Sequence, residues 1–137
     1  MNPAIARHCP LCKKYAEVTI SPGVRIVCPH CQQVWGRADD LQKIFDQCPI
    51  CQGRQFYLSK DFNQFLGCLV VILGIILVPW TYGLSLPFFA LIDWLLYKKV
   101  PAIVCCYKCG SEFRGFSIPS AFKPFLHHIG LKYDKYR

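Results

Sequence analysis

Two Cys-x-x-Cys pairs enclose a long apolar stretch, and this arrangement constrains the chain more than any other feature. Cys48 and Cys51 precede the stretch, Cys106 and Cys109 follow it, and 54 residues separate the two pairs. Four thiolates at the corners of a tetrahedron suit a zinc ion, so the two pairs predict one metal site. If both pairs bind one ion, the stretch between them must return to its starting point. The sequence therefore predicts a hairpin.

The central part of that stretch, residues 62–97, is apolar enough to enter a lipid bilayer, with Asp93 as its only charged side chain. A helical crossing takes about 20 residues, with a lower limit near 17, so two crossings fit only with almost no turn. Residues 79–83 predict that turn, because Trp and Tyr prefer a membrane interface. A hairpin that stays in one leaflet fits equally well, since both arms are short and Pro87 lies in the second. We expect a membrane-inserted helical hairpin of either topology.

The charge distribution predicts which side of the membrane the flanks occupy. The net charge is +8, with +3 in residues 1–61, −1 from Asp93 and +6 in residues 98–137. Cytoplasmic flanks of membrane segments are enriched in Lys and Arg. We therefore expect both termini and both cysteine-rich regions on the cytoplasmic side, next to an anionic leaflet of the lipid bilayer.

A second set of four cysteines lies before the apolar stretch, in two pairs 15 residues apart. This spacing is typical of a four-cysteine zinc site. Alternating apolar residues around Ser21-Pro22-Gly23 predict a β-hairpin that brings the pairs together, and Trp35 is expected to cover the site. Disulfides are the alternative, but residues 1–10 contain no apolar signal-peptide core. The predicted zinc ligands of the two sites are Cys9, Cys12, Cys28 and Cys31, and Cys48, Cys51, Cys106 and Cys109.

The predicted fold is a small, metal-stabilised α+β structure, because pieces this short need metal or disulfide staples. The second zinc ribbon repeats the first, with the membrane hairpin in place of the tip of its β-hairpin and strands near 55–59 and 100–105. The predicted parts are a first zinc ribbon at 1–37, a connector helix at 38–47, a second ribbon split between 48–61 and 98–116, the membrane hairpin at 62–97, and a basic amphipathic tail at 117–137.

Two of these parts depend on helical spacing alone. In the connector, Asp39 or Asp40 can cap a short helix that presents Leu41, Ile44 and Phe45 on one face. In the tail, Phe122, Phe125, Leu126 and Ile129 recur at helical spacing among basic residues. Such a helix can lie on an anionic membrane surface or pack on the second ribbon.

A Cys-x-x-Cys pair, an uncharged hydrophobic segment and a returning Cys-x-x-Cys pair resemble the LITAF-like zinc-ribbon family over about residues 48–116. The resemblance implies one zinc ribbon built from the two ends of a membrane-embedded segment on the cytosolic face. It implies Cys48, Cys51, Cys106 and Cys109 as zinc ligands and residues 66–96 as the anchor. The chain departs from the family at Val104, where a His is usual, and in carrying a full ribbon before the shared region.

The residues favour a non-enzymatic protein. A four-thiolate zinc site has no open coordination position and is structural, and the sequence shows no catalytic Ser/His/Asp set, carboxylate pair or phosphate loop. We expect a membrane-anchored protein with two structural Zn²⁺ sites, whose ribbons contact lipid or a protein partner that the sequence does not identify. Two alternatives remain open. One is a membrane-tethered nucleic-acid binder using Lys13, Lys14, Arg25 and Arg37 with the aromatic residues Tyr15 and Trp35. The other is a rubredoxin-like iron protein or a dithiol redox protein. Cys68 and Cys105 stand outside the four pairs.

Overall fold

A computed structural model describes residues 2–136, which form two compact units. One unit contains residues 1–59 and 103–137, and the other contains residues 60–102. The elements are β1 (Ala4–His8), β2 (Tyr15–Thr19), β3 (Arg25–Val27), β4 (Val34–Arg37), β5 (Phe56–Lys60), α1 (Gln64–Thr81), α2 (Ser85–Lys99), β6 (Ala102–Cys106), β7 (Glu112–Arg114) and α3 (His127–Tyr133), with a short 3-10 turn at Asp134–Tyr136.

One five-stranded sheet joins the two cysteine-rich regions. Its strand order is β2-β1-β7-β6-β5, and a separate pair is formed by β3 and β4. Strand β1 lies between the regions, because Ile5 is opposite Val18 of β2 on one side and opposite Phe113 of β7 on the other. The apolar run Ala4-Ile5-Ala6 is buried. The two regions are therefore parts of one sheet.

The β-hairpin predicted around Ser21-Pro22-Gly23 is wrong. Strand β2 pairs with β1 and strand β3 pairs with β4, both antiparallel. The sequence pattern predicts no strand at residues 4–8, yet this segment pairs with β2, and its first three side chains are buried. The backbone N–H of Ile20 extends this pairing by donating to the carbonyl of Pro3 at 2.9 Å. Each strand pair thus flanks one Cys-x-x-Cys pair.

The arms of the second ribbon are confirmed. Strands β5 and β6 are neighbours in the sheet, close to the predicted 55–59 and 100–105. Strand β6 continues through Cys106 into the last cysteine pair and then into β7, where Val104 lies opposite Phe113. The chain passes from β5 into α1 and from α2 into β6. The helical segment is therefore inserted between two adjacent strands, as predicted, although the equivalent strands β2 and β3 of the first region do not pair.

The connector at 38–47 contains turns and no helix, so the predicted helix is wrong. The Asp40 carboxylate does accept a hydrogen bond from the backbone N–H of Gln42 at 2.9 Å, as a capping residue would. Ile44 is buried, and Leu41 and Phe45 pack against the core. Packing of these three side chains therefore shapes the segment more strongly than its helical spacing does.

Phenylalanine rings fill the core beneath the sheet. The ring of Phe45 lies 5.4–5.9 Å from four other rings, each in an edge-to-face arrangement. Edge-to-face pairs at such distances are the favoured geometry for aromatic side chains. The four partners of Phe45 are Phe56, Phe113, Phe116 and Phe122. They connect β5, β7 and the chain after β7 to the connector.

The tail packs against the same unit. Residues 122–125 are not helical, and only His127–Tyr133 form α3, so the predicted amphipathic helix is shorter than its pattern suggested. The backbone N–H of Leu58 donates to the carbonyl of Lys123 at 2.9 Å, and the hydroxyl of Tyr107 accepts from the N–H of Leu126 at 2.7 Å. Phe122 packs on the core, and Phe125 contacts the rings of Tyr57 and Tyr107. Phe122 and Phe125 of the tail therefore pack against the unit that contains the sheet.

The second unit is a helical hairpin. Asn63 caps α1 by accepting a hydrogen bond from the N–H of Phe65, and Tyr82 ends α1 in the left-handed conformation. The turn thus lies at residues 82–84, within and just beyond the predicted 79–83, and Pro79 is inside α1. The two helices pack where Phe89 meets Gly74, and Ser85 Oγ donates to the Gly74 carbonyl at 3.1 Å.

Candidate metal centres

All four Cys-x-x-Cys pairs adopt the same backbone turn. In each pair, the backbone carbonyl of the first cysteine accepts a hydrogen bond from the N–H four residues later. The backbone N–H of the same cysteine donates to the carbonyl five residues later, and all these bonds are 2.8–3.0 Å long. The fifth residue of each turn has a positive φ of 59–68°. These four residues are Lys13, Gln32, Gln52 and Gly110. Such a turn directs both thiols of a pair to one side of the backbone, and its fourfold repetition indicates one shared role.

The eight cysteines of these turns form two clusters, as predicted: Cys9, Cys12, Cys28 and Cys31, and Cys48, Cys51, Cys106 and Cys109. Within each cluster the sulfur atoms all lie within 4.8 Å of one another. Sulfur atoms of different pairs lie 3.5 and 3.8 Å apart in the first cluster and 3.5 and 3.7 Å apart in the second. In a regular tetrahedron with metal–sulfur bonds of about 2.3 Å, neighbouring sulfurs are about 3.8 Å apart. Both clusters therefore have dimensions that can hold a metal ion.

The second cluster brings together the two ends of the 54-residue stretch. Cys51 Sγ lies 3.5 Å from Cys106 Sγ, and Cys48 Sγ lies 3.7 Å from Cys109 Sγ. The first cysteine of each pair is fully buried and the second is partly exposed. The predicted return of the chain to its starting point is confirmed at the level of the sulfur atoms.

Two polar side chains next to the clusters were not found by sequence reasoning. The Ser111 hydroxyl is fully buried and lies 3.1 Å from Cys109 Sγ, and the Gln33 side-chain amide lies 3.3 Å from Cys9 Sγ. Both residues come two positions after the last cysteine of their cluster, so aligning the repeats could have revealed them. Groups at this distance orient metal ligands and adjust their affinity.

The thiols of each cluster share protons unequally. Burial raises the pKa of Cys9, but backbone N–H groups of Cys12 and Leu11 and the Trp35 side chain outweigh it and lower the pKa to about 6. In the second cluster, hydrogen bonds from the Cys106 and Cys48 thiols hold the pKa of Cys109 well below its usual range. A cation binding to four thiols displaces such shared protons. The lowered pKa values of Cys9 and Cys109 fit a role of these thiols as thiolate ligands.

Other residues predicted for these sites lie as follows. Trp35 is buried against the first cluster, as expected. It is therefore not available to stack a nucleic-acid base. The Tyr15 hydroxyl donates to Glu112 at 2.9 Å and accepts from Arg114 at 3.1 Å, in a network between β2 and β7. Cys68 is exposed and Cys105 is buried, and neither belongs to a cluster.

The glycine in the last turn offers a test of this geometry. Gly110 has φ +68° and open space where a Cβ would be, so a substitution meets backbone strain and no clash. We expect Gly110→Ala to lower the free energy of unfolding by about 1 kcal/mol, because a side chain disfavours the left-handed region. Gln32→Gly in the equivalent turn relieves that strain and serves as the matched control. Thermal unfolding of the metal-loaded variants measures both effects, and an unchanged or higher midpoint for Gly110→Ala would contradict this geometry.

Comparison of the chain with protein-family models, curated proteins and solved structures found no match. The clusters and their surroundings therefore provide the basis for a functional proposal.

Proposed function

We propose that this chain is a non-enzymatic, membrane-anchored protein with two structural Zn²⁺ sites, whose metal-bound sheet forms a cytoplasmic interaction module. One observation carries the proposal. Four sulfurs of one cluster come from the two ends of a segment that forms a helical hairpin with an apolar, exposed surface. A closed four-thiolate site provides folding energy and no reactive coordination position. We assign the sites to zinc because four thiolates suit this ion. The LITAF-like resemblance implies the same ion, and membership of that family is part of the proposal.

The surface of α1 supports insertion into lipid. Gly74 is the only buried residue of this helix. By length and composition, α1 is the one helix among residues 2–136 that could cross a membrane. Its large apolar side chains are exposed around the helix, among them Phe65, Leu69, Ile72, Ile75, Ile76 and Trp80. Soluble proteins rarely expose so continuous an apolar surface, so a bilayer is the environment that we propose for it.

The lengths of the helices limit the topology. Helix α1 has 18 residues and α2 has 15, which correspond to about 27 and 22 Å along their axes. The hydrocarbon core of a bilayer is about 30 Å thick. Two crossings thus require local thinning of the bilayer, and a hairpin within one leaflet does not. Both arrangements keep the two ends of the hairpin on one side.

Lysines and aromatic residues lie together at the open end of the hairpin. Lys60 Nζ donates to the Tyr97 carbonyl at 2.9 Å and lies 3.8 Å from the centre of the Tyr97 ring. Lys98 Nζ lies 5.3 Å from the centre of the Trp94 ring. Aromatic rings and lysines are the usual anchors at the headgroup level of a membrane. We propose that this end contacts an anionic cytoplasmic leaflet.

Flotation with vesicles tests the proposal. We expect the purified, metal-loaded protein to float with anionic vesicles and to resist extraction by alkaline carbonate. Ile75→Lys places a charge on the exposed surface of α1, which costs about 3 kcal/mol in a bilayer, so a large part of this variant should stay in the soluble or aggregated fraction. Ile75→Leu is the matched control. Wild-type protein that remains soluble and monomeric without lipid or detergent would overturn the proposal.

A thiol at the turn then distinguishes the two topologies. In a Cys68→Ala background, Tyr82→Cys introduces one free exposed thiol, while the cluster cysteines are protected by metal. Labelling by a membrane-impermeant maleimide only from the side opposite the sheet indicates two crossings. Protection from both sides indicates a one-leaflet hairpin.

A further inference from the structure

Asp93 lies on the face of α2 that packs against α1. Ser85, Phe89 and Asp93 follow each other at intervals of four residues, so they share one helix face. The first two have partners in α1, since Ser85 bonds to the carbonyl of Gly74 and Phe89 packs on that glycine. Asp93 Oδ1 is buried, and no described residue forms a hydrogen bond with it. The contact face between the helices thus ends in a carboxylate without a partner at that oxygen.

Next to Asp93, the two helices leave an open groove of about 400 Å³. One small side chain, that of Cys68, forms part of its wall, whereas Gly67 is covered by the Phe62 ring, which lies 2.8 Å from the position that a Cβ would take. The rest of the lining is apolar, apart from Gln64 and Asp93 itself. The groove is lined by Phe62, Gln64, Gly67, Cys68, Val71, Ile72 and Asp93. The groove therefore offers an apolar surface next to the carboxylate.

The hairpin supplies no cation for this carboxylate. Asp93 is the only charged residue within 62–97. Lys98 and Lys99 follow five and six residues later, which places them about 140° and 120° around the helix axis from Asp93. Lys98 is also directed to the Trp94 ring. Lys60 donates to the Tyr97 carbonyl and lies over the Tyr97 ring, so we assign the cation for Asp93 to another molecule.

The depth of Asp93 makes an uncompensated charge unfavourable. Its position is about 9 Å along the axis from Lys99, which places it within the hydrocarbon when the lysines are at the headgroups. Ionisable residues at such depth face a protein interior and pair with an opposite charge or a polar group. A second copy of this hairpin would bring no basic side chain, and the phosphates of lipid headgroups would repel the carboxylate. A basic side chain on a different helix complements it.

We propose that this groove docks a membrane-spanning helix of another protein, which carries a lysine or arginine at the depth of Asp93. This inference rests on the proposed membrane insertion. The ammonium or guanidinium group of that helix pairs with Asp93, and its apolar side chains contact the apolar wall of the groove. The hairpin is then both an anchor and the surface that selects a membrane partner by charge.

A synthetic helix of defined sequence can take the place of the partner in a test of the groove. The full-length, metal-loaded protein is reconstituted in vesicles with a dansyl-labelled Leu/Ala helix of membrane-spanning length, bearing one lysine at the matching depth. Energy transfer from the protein's tryptophans to the dansyl group measures association. We expect the lysine peptide to associate roughly tenfold more tightly than the same peptide with leucine in place of the lysine.

Two variants show whether the groove causes this preference. Asp93→Asn should abolish the preference, and moving the carboxylate to an exposed position with Asp93→Leu and Leu95→Asp should not restore it. The proposal is overturned if both peptides associate equally with the wild type, or if Asp93→Asn keeps the preference. It is also overturned if the variant with the carboxylate at position 95 prefers the lysine peptide over the leucine peptide. The same holds if Asp93 promotes association of the protein with itself and not with the lysine peptide. Flotation of every variant is measured in parallel, so a failure of membrane insertion is recognised separately.

Discussion

Replacing Cys106 by alanine will reduce the metal content below one ion per chain and unfold most of the sheet. Cys106 is fully buried, ends β6 and supplies one sulfur of the second cluster. A structural zinc site is worth on the order of 10 kcal/mol or more in small proteins, comparable to the total stability of a typical domain. Metal analysis by mass spectrometry and circular dichroism of the detergent-solubilised protein measure the two losses.

This variant also tests the coupling of the two clusters. Strand β7 follows the second cluster and pairs with β1, and β1 leads directly into Cys9 of the first cluster. Loss of the second ion should therefore destabilise the first cluster too. Cys105→Ala is the matched control, because Cys105 is buried in the same strand and belongs to neither cluster. We expect it to keep two ions. Retention of two ions by Cys106→Ala would exclude Cys106 as a ligand, and retention of one intact site would show independent ribbons.

Replacing Phe113 by alanine should lower the free energy of unfolding by about 3–5 kcal/mol, as for other fully buried phenylalanines. Phe113 is 1% exposed and lies opposite Ile5 on one side and Val104 on the other. Its ring is 5.9 Å from the Phe45 ring and 5.8 Å from the Phe56 ring. Truncation therefore leaves a cavity where the sheet, the connector and both cysteine-rich regions meet.

Urea unfolding of the metal-loaded protein in detergent, followed by tryptophan fluorescence, measures this loss. Phe113→Leu is the control, because it keeps most of the buried volume and should cost less than about 1.5 kcal/mol. Equal small effects of both substitutions would mean that the sheet does not depend on this contact. A large effect on one cluster's metal content alone would mean that the two regions have separate cores.

The sequence identified the clusters because their chemistry is local. A Cys-x-x-Cys pair specifies its own turn, and four thiolates specify one centre wherever they meet in the chain. The hairpin was also predictable, since residues 62–97 lack charge apart from Asp93 and the flanking cysteines require a return. The turn near residues 79–83 was predictable because Trp80 and Tyr82 prefer a membrane interface and the short arms leave room for only a tight turn.

The shared sheet was not predictable from local patterns. Strand β1 is only five residues long and pairs with β7, more than 100 residues away in the chain. No hydrophobic periodicity near residues 4–8 indicates that this segment pairs with β7. The alternating flanks of the Ser-Pro-Gly segment predict a hairpin there, but alternation identifies strands and does not identify which strands pair. In the connector and in the tail, the apolar residues recur at helical spacing although neither segment is a helix at Phe45 or Phe122. Their side chains are spaced in this way because both segments pack on the same core.

X-ray absorption spectroscopy combined with metal quantification tests the central claim most directly. The claim is that two four-thiolate metal sites hold the sheet together, and that the second closes the chain around the helical hairpin. It predicts two zinc ions per chain, each with four sulfur neighbours at about 2.3 Å. A single ion per chain, nitrogen or oxygen ligands in the first coordination shell, or cysteines oxidised to disulfides in freshly purified protein would contradict it.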